Sequence, residues 1–366
     1  MTMRIAFDYQ AFVVGKHGGI SRSFVKLAEE LAVLGEDPRV FAEFHWNAYL
    51  CDLKPELVVG RFLKNKGIGR VWRQLDCWAG RRRMAQWPAD IVHETYYRAK
   101  RTGPAGIPTV VTVYDMIHEL FPQHFSPTDP TSALKRLAVE RADRVICISE
   151  HTRKDLIELF GVPAAKVAVT HLGYERFPVA APSSAGAVGR PFLLYVGQRG
   201  GYKNFRRLAE AVASSARLRG EFDLVAFGGG GFSPAEQAEF AALGFGDGRI
   251  RQLGGDDGVL GHLYATAGAF VYPSIYEGFG LPPLEAMAHG CPVVSSNASC
   301  MPEVIGEAAE YFDPLDVAAQ AHAIEAVVFN DQRRAELAAL GTARLANFSW
   351  TRCAEETRQI YRDLLG

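Results

Sequence analysis

Pro273-Ser274-Ile275-Tyr276-Glu277-Gly278-Phe279-Gly280-Leu281-Pro282-Pro283-Leu284-Glu285-Ala286-Met287-Ala288-His289-Gly290 is the stretch around which the chain is organised. The apolar run before it, Gly268-Ala269-Phe270-Val271-Tyr272, reads as a buried parallel strand. Pro282 or Pro283 suits a first helical position, Leu284 to His289 are mostly good helix formers, and Gly290 followed by Pro292 stops the helix. The segment therefore predicts strand, glycine-rich turn and helix, with Glu285 in the helix's first turn. The turn Gly278-Phe279-Gly280 places backbone N–H groups at a helix N-terminus, where an anion such as phosphate is favoured. Glu277 and Glu285 flank that point. A carboxylate repels phosphate, so the two suit neutral hydroxyls, and an anion plus hydroxyls at a strand's carboxyl end describes a sugar nucleotide. Each Glu alone has a plainer reading: Glu285 can complement the helix dipole and Glu277 can be a solvated loop residue.

Glu277, seven intervening residues and Glu285, with Gly-Phe-Gly-Leu-Pro between them, resemble the signature of the retaining nucleotide-sugar glycosyltransferases of family 4, which have the GT-B fold. The resemblance implies that Glu277 sits by the donor sugar, that Glu285 holds the ribose hydroxyls, and that the backbone of Gly278, Phe279, Gly280 and Leu281 binds phosphate.

Length and composition agree with such a molecule. A chain of 366 residues exceeds one typical core and predicts two domains. With 48% hydrophobic residues it is globular, and a formal net charge of −1 argues against general nucleic-acid binding. The six cysteines are scattered without a CxxC, as in a reduced cytoplasmic protein, and neither a histidine pair at ligand spacing nor Asp-x-Asp is present, so no metal is expected. The start, Met1 to Asp8, runs straight into a strand and gives no sign of a signal peptide. No apolar run approaches the ~20 residues that span a bilayer.

Along the chain, strands at Arg4–Tyr9 and Arg39–Phe44 bracket Gly18-Gly19-Ile20-Ser21, which opens a helix that Ser21 can cap. The loop reads equally as a flexible glycine turn; the resemblance implies that Gly19 closes over the donor diphosphate. Between 61 and 83, Arg61, Lys64, Lys66, Arg70, Arg73, Arg81, Arg82 and Arg83 face Asp76 alone, and Trp72, Trp78 and Trp87 accompany them. Such a stretch is either a solvated helix face or a contact with an anionic membrane, which would suit a lipid-linked acceptor. The strand Pro108–Tyr114 runs into Asp115 and His118, at a strand end where doubly wound sheets place ligands. Family members often carry His directly before this Asp. Here Tyr114 takes that place and His118 follows three residues later, which leaves open whether Asp115 or His118 faces the reacting sugar.

Residues 177–191, rich in Pro, Ala, Ser and Gly, read as a linker between domains at 1–176 and 192–349. The second domain opens as the first does: strand Phe192–Gly197, glycine turn Gln198–Asn204, helix Phe205–Ala216. On that turn Arg199 and Lys203 are either two surface bases or, as the resemblance implies, a clamp on the diphosphate that replaces a metal. The terminal helix, 350–366, is expected to pack back on the first domain. The expected fold is α/β, GT-B: two Rossmann-like doubly wound domains facing each other across a cleft.

The expected activity is retaining transfer of a hexose or deoxyhexose onto a glycan or lipid-linked acceptor in cell-surface polysaccharide synthesis. Phe7-Asp8-Tyr9-Gln10 with Gly18–Arg22 resembles bacterial O-antigen and polysaccharide transferases, which favours a GDP-sugar such as GDP-mannose over UDP- or dTDP-sugars. The nucleotide sugar is a substrate, and no cofactor is expected. The protein is expected to be cytoplasmic, with peripheral contact at the inner face of the cell membrane as one option. Two other readings remain: a GT-B sugar-nucleotide epimerase, and a non-catalytic assembly partner.

Overall fold

The computed structural model describes residues 2–13, 15–63, 70–181, 189–246 and 248–366, with 70–77 as backbone alone. The chain divides into two compact units, Met1–Gly173 with Ser349–Gly366, and Tyr174–Phe348.

In the first unit seven parallel strands run Arg4–Phe7 (β1), Asp37–His45 (β2), Val58–Phe62 (β3), Ile91–Glu94 (β4), Thr109–Val113 (β5), Arg144–Cys147 (β6) and Val167–Val169 (β7), in the order β3-β2-β1-β4-β5-β6-β7. In the second, Phe192–Val196 (β8), Asp223–Phe227 (β9), Ile250–Leu253 (β10), Ala269–Tyr272 (β11), Val293–Ser296 (β12) and Ala309–Phe312 (β13) form a sheet ordered β10-β9-β8-β11-β12-β13. All pairings are parallel. Parallel strands are covered on both faces, which is why β4, β5 and β11 are buried at every residue. The strand order reverses at β1/β4 in one sheet and at β8/β11 in the other. Doubly wound sheets bind ligands in the crevice at such a switch point.

The sequence reading missed two strands, β3 and β13, which both lie at sheet edges. β3 is half-exposed and lacks a continuous apolar run. Its Gly60 lies so close to β2 that a Cβ there would stand 1.7 Å from Ala42 O. Arg61 belongs to this strand, so the basic region is not one segment: strand β3 is followed by residues 64–69, which include Lys64 and Lys66 and lie outside the described residues, and then by a helix, Arg70–Gln86. The linker residues 182–188 also lie outside them. Before these, Phe177 is buried in the second unit, and Ala180 N–H donates to Gly258 O at 3.0 Å.

Helix α1, Gly19–Val33, has Gly18 rather than Ser21 at its N-cap; the Ser21 hydroxyl donates to Gly18 O at 3.0 Å and accepts from the Asn47 amide. The core of the second unit packs helix α2, Phe205–Ser214, against the sheet through Tyr195, Phe205, Leu208 and Val212. Helix α3 spans Pro234–Ala242 and helix α4 Leu281–Ala288. The last helix, α5, Trp350–Leu365, lies in the first unit along α1, with Thr351 bonded to Glu30 and Arg362 paired with Glu36. Tyr361 of α5 reaches the buried His93 of β4 at 2.5 Å, and the other ring nitrogen meets Thr112 at 2.8 Å.

Candidate active site

Three loops leave the carboxyl ends of adjacent strands β9, β8 and β11: Gly228–Gly231, Gly197–Asn204 and Pro273–Gly280. The two at the switch point are stitched together. Asn204, in the left-handed region at φ 60°, donates to Pro273 O at 2.9 Å and Pro314 O at 2.7 Å. Ile275 N–H donates to Tyr202 O at 2.8 Å. Lys203 crosses the switch point and meets both oxygens of Glu277, at 2.8 and 2.9 Å. The Ser274 hydroxyl donates to the same carboxylate at 2.6 Å, and the buried Tyr272 phenol bonds it as well. Burial and the Glu277 charge together push the Tyr272 phenol well above its usual range. Glu277 is thus an oriented, nearly buried carboxylate and not a solvated loop residue.

Its backbone is held too. Ser299 Oγ accepts from Glu277 N–H at 2.9 Å and donates to Glu277 C=O at 3.0 Å, while Cys300 Sγ stands 3.1 Å from the carbonyls of Glu277 and Phe279. Ser299 makes these contacts from φ 49°, a conformation uncommon for a residue with a Cβ. The sequence reading missed Ser299, Cys300 and Ser274, since nothing in their spacing announces a contact across the sheet.

Gly280 turns at φ 97° and helix α4 begins at Leu281. Glu285 therefore falls in the second turn, not the first, and the dipole reading of it weakens, because that effect fades within one turn. Pro282 and Pro283 carry no N–H, so the amides of Gly280 and Leu281 are the ones at this helix end that can meet a phosphate oxygen. Glu285 is buried and accepts from the Tyr264 hydroxyl at 3.2 Å. His289 stacks on Tyr264 and places its ring nitrogens 2.8 Å from Glu285 O and 3.1 Å from Phe177 O.

Arg199 is held by the neighbouring glycine turn and by Glu236. Its Nε and Nη2 bond Glu236 at 2.7 and 3.4 Å, Nη1 bonds Gly228 O and Gly230 O at 3.2 and 3.0 Å, and Nη2 bonds Gly231 O at 3.2 Å. A guanidinium has five N–H donors. All are committed here to protein oxygens, as the Lys203 ammonium is to Glu277.

In the first unit, Gly19 is the first residue of α1, and a Cβ there would meet nothing within 4 Å. Asp115 Oδ1 accepts from Ile117 N–H at 3.1 Å. Lys135, almost fully buried, donates to Asp115 O at 2.8 Å and to Glu119 at 2.7 Å, which anchors the loop. His118 stacks on Phe125 at 3.8 Å and lies 3.9 Å from Asp129. Tyr114 stands edge-on to Phe24 and bonds Ser23. Among the described residues no group of three or more His, Cys, Asp or Glu is placed to hold a metal ion, and no helix is long and apolar enough to cross a membrane.

Two doubly wound parallel sheets, one with an oriented Lys–Glu pair at its switch point, are the architecture of an α/β protein that takes its ligand at strand carboxyl ends. Residues 17–176 match the family model described as Glycosyltransferase Family 4, and residues 181–344 match that of the Glycosyl transferases group 1. The O-antigen chain mannosyltransferase B of Escherichia coli is 33% identical over 277 residues, 71% of either chain. Among solved structures, sucrose-phosphate synthase from Thermosynechococcus elongatus superposes with a TM-score of 0.77 at 23% identity, covering 99% of both chains. Anabaena HepE, in complex with UDP-glucose, gives 0.73 at 19% identity, covering 99% of this chain and 100% of that one. The chain belongs to glycosyltransferase family 4 and is a nucleotide-sugar glycosyltransferase of the GT-B fold.

Proposed function

We propose that the protein transfers mannose or a related hexose or deoxyhexose from a GDP-sugar, with retention at the anomeric carbon, onto a glycan or lipid-linked acceptor of a cell-surface polysaccharide. The observation that carries this reading is the Lys203–Glu277 pair lying across the β8/β11 switch point, beside the amides of Gly280 and Leu281. The 33% identity to the O-antigen mannosyltransferase supports mannose and a polysaccharide acceptor.

The bond from the anomeric carbon to the diphosphate oxygen breaks, and its electron pair leaves with the diphosphate. Lys203 and the Gly280 and Leu281 amides stabilise that charge, in place of a metal. The backbone of Gly278 and Phe279 completes the phosphate site, and Glu285 takes the ribose hydroxyls. Glu277 orients the sugar, its own rotamer held by Ser274 and Tyr272. The acceptor oxygen bonds to carbon on the face the diphosphate leaves, and its proton passes to a phosphate oxygen of the donor. In the first unit, Asp115 or His118 is the proposed catalytic residue, and Gly19 a proposed donor-binding one.

The test is the purified full chain with GDP-mannose and, in parallel, UDP-glucose and a dTDP-sugar, in excess EDTA, with a mannose-terminated acceptor. Transfer from GDP-mannose with an α-anomer by NMR is expected. Exclusive use of another donor would sink the donor assignment, a β-anomer the retaining mechanism, and full dependence on Mg²⁺ the role given to Lys203.

The enzyme is proposed to work at the inner face of the cell membrane. Trp78 is 64% exposed beside Arg82, and Phe62 is 41% exposed on the edge strand that carries Arg61, a basic, aromatic surface suited to anionic headgroups.

A further inference from the structure

Two cations four residues apart on one turn are drawn to opposite neighbours. Lys203 leans from the end of β8 over β11, to Glu277, while Arg199 leans over β9, to Glu236 and the carbonyls of Gly228, Gly230 and Gly231. The Gly228–Gly231 turn has three successive residues at positive φ, 86°, 71° and 71°. Peptides in that conformation point their carbonyls to one side, and here that side is filled by a guanidinium whose flat face lies 4.7 Å from the centre of the Phe232 ring. At Gly229 an added Cβ would lie 2.7 Å from Arg199 Nη1 and 3.0 Å from Gly197 O. Glu236, the other partner, is welded to the next helix: its carboxylate accepts from Ser233 N–H at 2.7 Å, and its own N–H donates to Ser233 Oγ, which closes a capping box at the start of α3. Strand end, glycine turn and helix start are thereby fastened to one side chain.

We propose that Arg199 is a positioning residue that, with Glu236, holds the Gly228–Gly231 turn in the shape that receives the nucleoside part of the donor, and that it makes no contact with the diphosphate. The nucleotide half of this proposal rests on the proposed function; the fastening of the turn does not. The turn lies at the carboxyl end of the strand next to β8, one strand removed from the switch point, which puts it beside the phosphate-facing amides and not on them. Arg199 already faces an anion that matches its fork, and the hydrogen bond from Arg199 holds the Glu236 carboxyl near 2, well below its usual range. A phosphate would have to displace that carboxylate and three carbonyls together.

The experiment has two arms on the full chain, comparing wild type with Arg199→Ala, Arg199→Lys, Glu236→Gln, the Arg199→Ala/Glu236→Gln double variant and Lys203→Ala. Glutamine keeps the capping box, so Glu236→Gln spares the helix start. The first arm is hydrogen exchange without nucleotide, read on peptides spanning 226–233. Arg199→Ala and Glu236→Gln should each speed exchange there about tenfold, and the double variant no further than Arg199→Ala, because both remove one unit. Arg199→Lys, which keeps the charge and loses the fork, should not restore protection. Unchanged exchange in either single variant overturns the fastening. The second arm is calorimetry with GDP and GMP, with UDP and UMP beside them. Arg199→Ala and Glu236→Gln should weaken diphosphate and monophosphate by the same factor, whereas Lys203→Ala should weaken the diphosphate roughly ten- to a hundredfold more. Loss confined to the diphosphate in Arg199→Ala, rescued by Arg199→Lys and absent from Glu236→Gln, puts Arg199 on the phosphate and overturns the proposal. Wild type binding none of the four nucleotides refutes the nucleotide reading, and the exchange arm still decides the fastening.

Discussion

Lys203 Nζ lies 2.8 and 2.9 Å from the two oxygens of Glu277, joining loops that leave neighbouring strands from positions 74 residues apart in sequence. The carboxylate is nearly out of solvent, 9% exposed, and the lysine is partly buried, 22% exposed. A cation and an anion at one switch point can address a donor that offers a diphosphate and hydroxyls side by side.

Removing the lysine has two separable costs. Lys203→Ala leaves Glu277 buried with only its hydroxyl partners, and breaking such a pair costs on the order of 3 kcal/mol. A fall in melting temperature is expected, with weaker GDP binding and nucleoside binding almost intact. Glu277→Gln/Lys203→Ala should be more stable than Lys203→Ala alone. A double variant less stable than the single one would remove the charge-pair explanation.

Glu277 and Glu285 should fail differently. Glu285→Gln is expected to weaken free GDP, since an amide offers one accepting oxygen where a carboxylate offers two. Glu277→Gln should leave GDP affinity nearly unchanged while single-turnover transfer drops steeply, the sign of an interaction used in the transition state. Equal loss of GDP in both variants, measured by calorimetry, would show that the two carboxylates are not divided between sugar and ribose.

Ser299 offers a test of strain. Its left-handed backbone costs of order 1 kcal/mol for a residue with a Cβ. Ser299→Gly should relieve that strain and hold the melting temperature within a few degrees of wild type, yet lower kcat, because the hydroxyl no longer grips both sides of Glu277. Ser299→Thr, which keeps the hydroxyl, should retain more activity than Ser299→Gly. The reverse ranking would mean that the grip is irrelevant to turnover.

Burial holds the His93 imidazole down at about 3, against about 6.5 for the unfolded chain. The unfolded state therefore takes up this proton first as pH falls. The stability His93 gives by staying neutral is complete above pH 6.5 and is lost progressively toward pH 3, at up to about 1.4 kcal/mol per pH unit. Urea unfolding at pH 7, 6 and 5 should show that slope, and His93→Gln should flatten it. Parallel slopes in both proteins would place the titration elsewhere.

The membrane surface is tested by flotation with vesicles containing anionic lipid at low and high salt. Binding that fades with salt and weakens in Trp78→Ala/Arg81→Ala/Arg82→Ala is expected, each basic residue adding about 1 kcal/mol near such a surface. Absence of binding at low salt returns this face to ordinary solvation.

Much of the fold was legible because parallel strands covered on both faces must be written as apolar runs: Phe192–Val196, Asp223–Phe227 and Ala269–Tyr272 declare themselves. β3 and β13 did not, since an edge strand has one neighbour and tolerates charge, as Arg61 and Glu310 show. Within the site, the Glu277–Glu285 motif was readable because its parts are local. The partners of those parts were not. Lys203 could be picked out as a cation on a glycine turn, but its meeting with Glu277 depends on strand order, which periodicity does not encode. The same holds for Arg199: its spacing from Lys203 is local, while its partner Glu236 lies 37 residues on.

The placement of α5 also fixes an order of events during synthesis. Residues 174–348, all of the second unit, leave the ribosome before Trp350–Leu365 appears, and domains generally form as units while the chain emerges. Until α5 is made, β4 lacks Tyr361 and α1 lacks its neighbour. The contact between α1 and α5 is thus the last part of the first unit that the growing chain can form, after every residue of the second unit has been added.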